Sequence, residues 1–179
     1  MKFLSILAIA AIGLGNANAQ NMPSAQEITR YIIKVATAYA DSIACEHSKI
    51  EAKNIAALAP YKTMDSRGDA KYVVLWSGDI GCAGGTGTTG SAITLVKIGA
   101  GDSFVVDPLQ SSPIISHELP VRYVERLVGN TADSLIIEGK EYGKDDPNCC
   151  PSINVRATLK VDAKGNWKMV EKKVIPSKK

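Results

Sequence analysis

Histidine is scarce in this 179-residue chain, with two copies, and aromatic residues make up 6% of it. That shortage leaves little material for nucleophilic catalysis. A serine hydrolase needs a base beside its nucleophile; here His117 would have to serve Ser91 or Ser152, and no G-x-S-x-G turn presents either serine. A basic stripe of the kind that tracks nucleic acid is also missing. The local basic excess is confined to Lys172-Lys173 and Lys178-Lys179, which read as a solvated tail, so nucleic acid is not an expected partner. No apolar run reaches the 18 or so residues of a membrane-crossing helix. Repeats, low-complexity tracts and long linkers are absent too, so the chain reads as one domain after its leader.

That leader is residues 1–19. Lys2 gives a positive start, Phe3 to Leu14 an apolar run, and Ala17-Asn18-Ala19 a small-residue cleavage site, which together are the pattern of an export signal. Cleavage would leave Gln20 first and residues 20–179 as a single domain. Loss of Lys2 takes the 21 basic residues to 20 against 18 acidic ones, too small an excess to define a partner. The first cysteine is Cys45, so the cleavage site offers no lipid acceptor. A periplasmic or secreted protein is expected, with no transmembrane segment after cleavage.

Ser24 and Glu27 form a capping-box pattern. Ile28, Ile32, Val35 and Tyr39, widened by Tyr31 and Ile43, then follow helical spacing to about Ala44 or Cys45. Beyond the helix the chain becomes β-branched runs separated by Gly, Pro, Asp and Asn. Strands are expected at Lys71–Trp76, Ala92–Ile98, Phe104–Val106, Ser134–Glu138, Val155–Val161 and Trp167–Val174, with Val121–Val128 either strand or short helix. Val161 to Trp167 reads as a hairpin turning at Gly165. A helix followed by sequential strands predicts an α+β fold, the N-terminal helix packed on a mostly antiparallel, meander-like sheet.

The segment from Trp76 to Gly90 contains G-x-G-x-x-G at Gly85, Gly87 and Gly90. Dinucleotide binding requires a helix directly afterwards, whereas Ser91 to Ile98 alternates like a strand; no cofactor is expected. Two readings remain for the loop: a turn in which glycine lets backbone pack closely on backbone, or a ligand-contacting loop using Asp79, Gly84, Gly85, Thr86, Gly87 and Thr88.

Four cysteines, Cys45, Cys82, Cys149 and Cys150, suit disulfides in an oxidising compartment. Adjacent cysteines lie only about 3.8 Å apart at Cα, below the usual disulfide range. The favoured pairing therefore sends Cys45 and Cys82 separately to Cys149 and Cys150, each bridge worth about 4 kcal/mol by loop entropy. The opposing arrangement, Cys45 with Cys82, would leave a vicinal Cys149–Cys150 bridge. A metal site from Cys45-x-His47, the paired cysteines and His117 lacks zinc-module spacing, and both histidines read as surface residues.

Around the paired cysteines the sequence Asp145-Asp146-Pro147-Asn148-Cys149-Cys150-Pro151-Ser152 resembles the D-x-x-CCPS element of exported bacterial proteins, including the LppP/LprE lipoprotein family. The likeness runs at most from about Leu135 through the last hairpin, and the chain departs from the family in having no lipid-acceptor cysteine. The resemblance implies an exported, sheet-rich module with the paired cysteines on a turn before a strand, and carries over no catalytic residue. Two functions follow as expectations. One is a non-catalytic, disulfide-stabilised binding protein of the bacterial envelope, of inhibitor or immunity type, engaging a protein or envelope component. The other is a small secreted hydrolase using a carboxylate pair drawn from Asp79, Asp107, Asp145 and Asp146.

Overall fold

The computed structural model describes residues 22–85, 87–115 and 123–176. Residues 1–19, where an export signal is expected, and His117 lie outside them. The described residues form one long helix and two antiparallel sheets, an α+β architecture with the helix packed on a sheet.

Helix α1 spans Ala25–Ile43 and opens with the expected capping box: Ser24 Oγ accepts from Glu27 N at 3.3 Å, and Glu27 Oε2 accepts from Ser24 N at 2.8 Å. The buried stripe runs Ile28, Ile32, Ala36, Ala40, shifted from the expected Val35 and Tyr39 toward the alanines. Small side chains there let the helix axis approach the sheet closely. Val35 packs at the margin, and the Tyr39 hydroxyl donates to the Ser112 carbonyl at 2.7 Å. The helix stops one residue short of the expected end because Ala44 is already extended.

Strand β1 (Ala44–His47) continues directly from that cap, and β2 is Ile55–Ala59. Both pair with β3 (Lys71–Ile80), β2 along its first half and β1 along its second; β3 pairs on its other side with β4 (Gly90–Ile98), which pairs with β5 (Phe104–Val106). The second sheet is a meander of β6 (Tyr123–Asn130), β7 (Ser134–Glu141), β8 (Ile153–Val161) and β9 (Trp167–Val174). Val121–Val128 is thus resolved as strand over its described part. The hairpin between β8 and β9 turns where expected, with Gly165 at φ 84° and the Asp162 carboxylate accepting from Lys164 N and Asn166 N.

The first sheet is the middle layer. Tyr72, Val74, Trp76, Ala92 and Val96 face the helix, while Val73, Leu75, Ile93 and Leu95 face the second sheet and meet Leu135, Ile137, Val155 and Leu159. A strand buried on both faces reads as an unbroken apolar run, which is why Tyr72 to Trp76 shows no alternation. The second sheet has one face in solvent, where Glu138 is held between Arg126 and Arg156. Those guanidiniums, Arg156 foremost, draw the Glu138 pKa below the ordinary glutamate value against the opposing effect of burial.

Strand parity continues past the apolar run. Ser77 and Asp79 follow Val73 and Leu75 on the face toward the second sheet, so the end of β3 delivers a carboxylate to the edge of the inter-sheet space.

Candidate functional site

Gly78 is the residue that lets β1 lie against the end of β3. A Cβ there would stand 2.8 Å from the Glu46 carbonyl oxygen and 2.7 Å from the Trp76 ring. With β1 seated, Ala44 pairs with Ile80, Gly81 N donates to the Ile43 carbonyl at 2.9 Å, and Cys45 comes within 5.1 Å of Cys82 at Cα and is bonded to it.

The chain then leaves β3 through the glycine-rich loop, residues 81–89. Gly81, Cys82, Gly84 and Gly85 all have positive φ, at 81°, 58°, 70° and 105°. A Cβ on Gly81, Gly84, Gly85 or Gly90 would meet nothing within 4 Å. The reading of this loop as close backbone packing is therefore corrected: Gly81, Gly84 and Gly85 serve dihedral angles that side chains disfavour, and the close approach belongs to Gly78. Asp79 holds the loop from below, its carbonyl accepting from Cys82 N at 3.3 Å and its Oδ2 from Gly84 N at 3.0 Å. Thr88 donates to the Gly85 carbonyl through its hydroxyl at 2.9 Å. Thr86 lies outside the described residues. The strand β4 follows the loop, so the G-x-G-x-x-G spacing lacks its helix.

Under and beside this loop is a cleft of about 620 Å³. Cys45, Glu46, Asp79 and Cys82 form one side, Gly84, Gly85, Thr88 and Thr89 the loop side, and Tyr123 of β6 with Cys149 the side toward the second sheet. Two of these lining residues are acidic and none is basic. Asp79 is 8% exposed. Its Oδ1 is buried and, among the described residues, is the one such side-chain oxygen or nitrogen with no hydrogen-bond partner. Leaving a buried acceptor unsatisfied costs about 1–3 kcal/mol, so a donor brought to Oδ1 would be favoured.

The favoured cysteine pairing is also corrected. Cys45 is bonded to Cys82, and Cys149 to Cys150 with Cα atoms 3.8 Å apart. The antiparallel contact of β1 with the end of β3 makes Cys45 and Cys82 cross-strand neighbours, a proximity that sequence separation hides. Cys45 after the helix, Cys82 in the glycine loop and Cys149 in the paired-cysteine turn nevertheless border one cleft, with no crosslink joining the turn to the other two.

Comparison of the chain with protein-family models, curated proteins and solved structures finds no match. Function must be read from the site.

The remaining candidates lie elsewhere or serve the fold. Asp107 caps the turn after β5, accepting from Leu109 N at 3.1 Å and pairing with Lys97 at 2.9 Å. Its backbone bonds Leu95, six positions along β4 from the loop, which is roughly 20 Å of strand from Asp79. Asp146 accepts from Gly143 N and Ser152 N, both at 2.6 Å, closing the turn that carries the paired cysteines. Those bonds hold its pKa below the ordinary aspartate value, with Gly143 contributing most. Ser91 accepts from Val124 N at 3.0 Å, tying β4 to β6. Of the four aspartates considered for hydrolysis, Asp79 alone borders the cleft; the other carboxylate there is Glu46, which no sequence signal marked.

His47 was expected on the surface and is corrected: its side chain is 14% exposed. The ring lies edge-on to Trp76, with Nε2 2.9 Å from Asp41 Oδ1 and Nδ1 2.8 Å from the Ser48 carbonyl. Burial pulls its pKa down, but the bond to Asp41, the bond to Ser48 and the charge of Asp41 outweigh it and raise the pKa above the ordinary value. Both partners accept, so the doubly protonated ring satisfies both. A raised folded-state pKa contributes stability that is complete below the unfolded value, near about 6.5, and is lost as pH rises through the folded value. Melting temperature measured from about pH 6 to pH 8 should accordingly fall more steeply in the native protein than in His47→Gln. Parallel profiles would show that the Asp41 pairing adds nothing.

Proposed function

We propose that this chain is an exported, non-catalytic binding protein of the bacterial envelope, and that the cleft beneath the glycine loop is its contact surface. The observation that carries the reading is Asp79 Oδ1, a buried acceptor with no partner of its own at the edge of a cleft large enough for a ligand, within the roughly 300–1,000 Å³ of binding pockets. Of the four aspartates that could pair for hydrolysis, Asp79 alone is among the described residues of the cleft, so the expected aspartate pair is not assembled there, which favours recognition. The leader pattern of residues 1–19, the Cys45–Cys82 bridge and the resemblance of the Asp145–Ser152 segment to the LppP/LprE family support export. The disulfide fixes the start of the loop to β1, which confines the ordering cost of binding to the rest of the loop.

Site-specific photocrosslinking in the producing cell tests this. A benzophenone side chain at Thr88, on the loop, should give an adduct with a protein or envelope component. The same group at Lys160, on the solvent face of the second sheet, should give none. Adducts from Lys160 alone would place the contact surface on the sheet and overturn the proposal.

A further inference from the structure

Resting on the cleft as the contact surface, we infer that it receives a primary ammonium group, of the lysine side-chain kind, which donates to Asp79 Oδ1.

The sign follows from the described residues of the lining, among which Asp79 and Glu46 supply carboxylates and no lysine or arginine offsets them. The need for a donor follows from Oδ1, which is buried and accepts nothing among the described residues. The choice between cations follows from Oδ2. A guanidinium fork is matched by both oxygens of a carboxylate, but Oδ2 is already bonded to Gly84 N at 3.0 Å. One free acceptor suits the compact, three-donor ammonium, whose remaining hydrogens can meet Glu46 and the threonine hydroxyls of the loop. The Tyr123 ring and the cystine of Cys45 and Cys82 offer surface for an alkyl stem, the part of a lysine that prefers apolar contact.

Entry requires the loop to yield, since Oδ1 is covered. A Cβ on Gly84, Gly85 or Gly90 would face open space, so among the described residues nothing packs against the loop at those positions. The bond from Gly84 N to Asp79 therefore reports on occupancy.

The test is a titration of the oxidised, isotopically labelled protein, followed by amide NMR, with three blocked amino-acid amides: Nα-acetyl-lysine methylamide and its norleucine and arginine counterparts. The lysine probe should give saturable shifts at Gly84, Gly85 and Thr88, with a Kd about tenfold or more below that of either counterpart. Asp79→Asn keeps an acceptor for Gly84 N and removes the charge; it should weaken the lysine probe by a similar factor. n-Butylamine distinguishes the source: binding equal to the lysine probe means that the site reads a free amine, and weaker binding means that it reads lysine within a polypeptide. Equal affinity for lysine and norleucine probes would overturn the ammonium assignment without needing any variant, and would leave the cleft as a binding surface. No shift with any probe, alongside a Thr88 photoadduct, would overturn the ammonium assignment alone. No shift and no adduct would overturn both proposals.

Discussion

Replacing Cys45 and Cys82 together by serine will lower the free energy of unfolding by about 4 kcal/mol, while replacing Cys149 and Cys150 together will change it by less than about 1 kcal/mol. The difference comes from what each bridge does to the unfolded chain. Cys45 and Cys82 are 37 residues apart, and tying them removes the conformational freedom of that whole segment. Cys149 and Cys150 are neighbours, and tying them closes no segment. Bonds that span the chain from Cys45 and Cys82 to the paired cysteines would instead make both double variants costly. Urea unfolding of the two variants, with slopes compared to verify that the unfolded state is equally exposed, separates these cases. Equal losses would refute the observed pairing. Because the Cys45–Cys82 bridge anchors the loop over Asp79, the first variant should also broaden the amide signals of Gly84 and Gly85.

Trp76→Ala should cost about 3–5 kcal/mol. Trp76 is 2% exposed and sits in the layer between the middle sheet and the helix. Truncation removes its contacts and leaves a cavity. It also takes away the Nε1 donor bonded to Thr94 Oγ1 at 2.9 Å, leaving a hydroxyl buried in an apolar layer. The effect reaches the site, since the Trp76 ring fills the space beside Gly78 and supports His47, and β1 lies on both. Trp76→Phe keeps most of the volume and should lose less than half as much. A loss below about 1 kcal/mol for the alanine variant would mean that the helix-side layer collapses to fill the gap, which close packing does not normally allow. Through Gly78 and β1 the same substitution should also shift the amide signal of Gly84.

Much of the fold was legible in the sequence because its signals are local. The capping box at Ser24 and Glu27, the apolar run from Tyr72 to Trp76, the hairpin at Gly165 and the strands Phe104–Val106 and Trp167–Val174 each follow from residues near one another in the chain. Two strands were not legible. Ile55–Ala59 is mostly alanine, which has little strand preference of its own, and it is extended because β3 offers it an edge. Ala44–His47 follows a helix without a glycine or proline to announce the change. The division into two sheets was likewise hidden, since it depends on which strands pair at a distance.

The site was legible in part. The glycine loop and Asp79 within it could be read, because glycine clusters mark themselves; the nearness of the paired-cysteine turn was expected from crosslinks that the structure does not contain. The partners of each cysteine could not be read, as they depend on β1 crossing the end of β3. Asp79 was expected in the loop, yet it is the ninth residue of β3, and its parity with Val73 and Leu75 carries it to the inter-sheet edge. Glu46 and Tyr123 join the cleft through strand pairing alone. His47 had no sequence mark either, for Asp41 reaches it from the last turn of the helix.

Binding at the cleft, as proposed, requires the Asp79 carboxylate. The most direct test is the Thr88 photoadduct measured in paired cultures, with Asp79 intact and with Asp79→Asn, at matched protein levels and with the Cys45–Cys82 bridge verified in both. The adduct should fall by about tenfold in the Asp79→Asn protein, the loss expected for one hydrogen bond to a charged group. An adduct of unchanged yield in the Asp79→Asn protein would contradict the proposal.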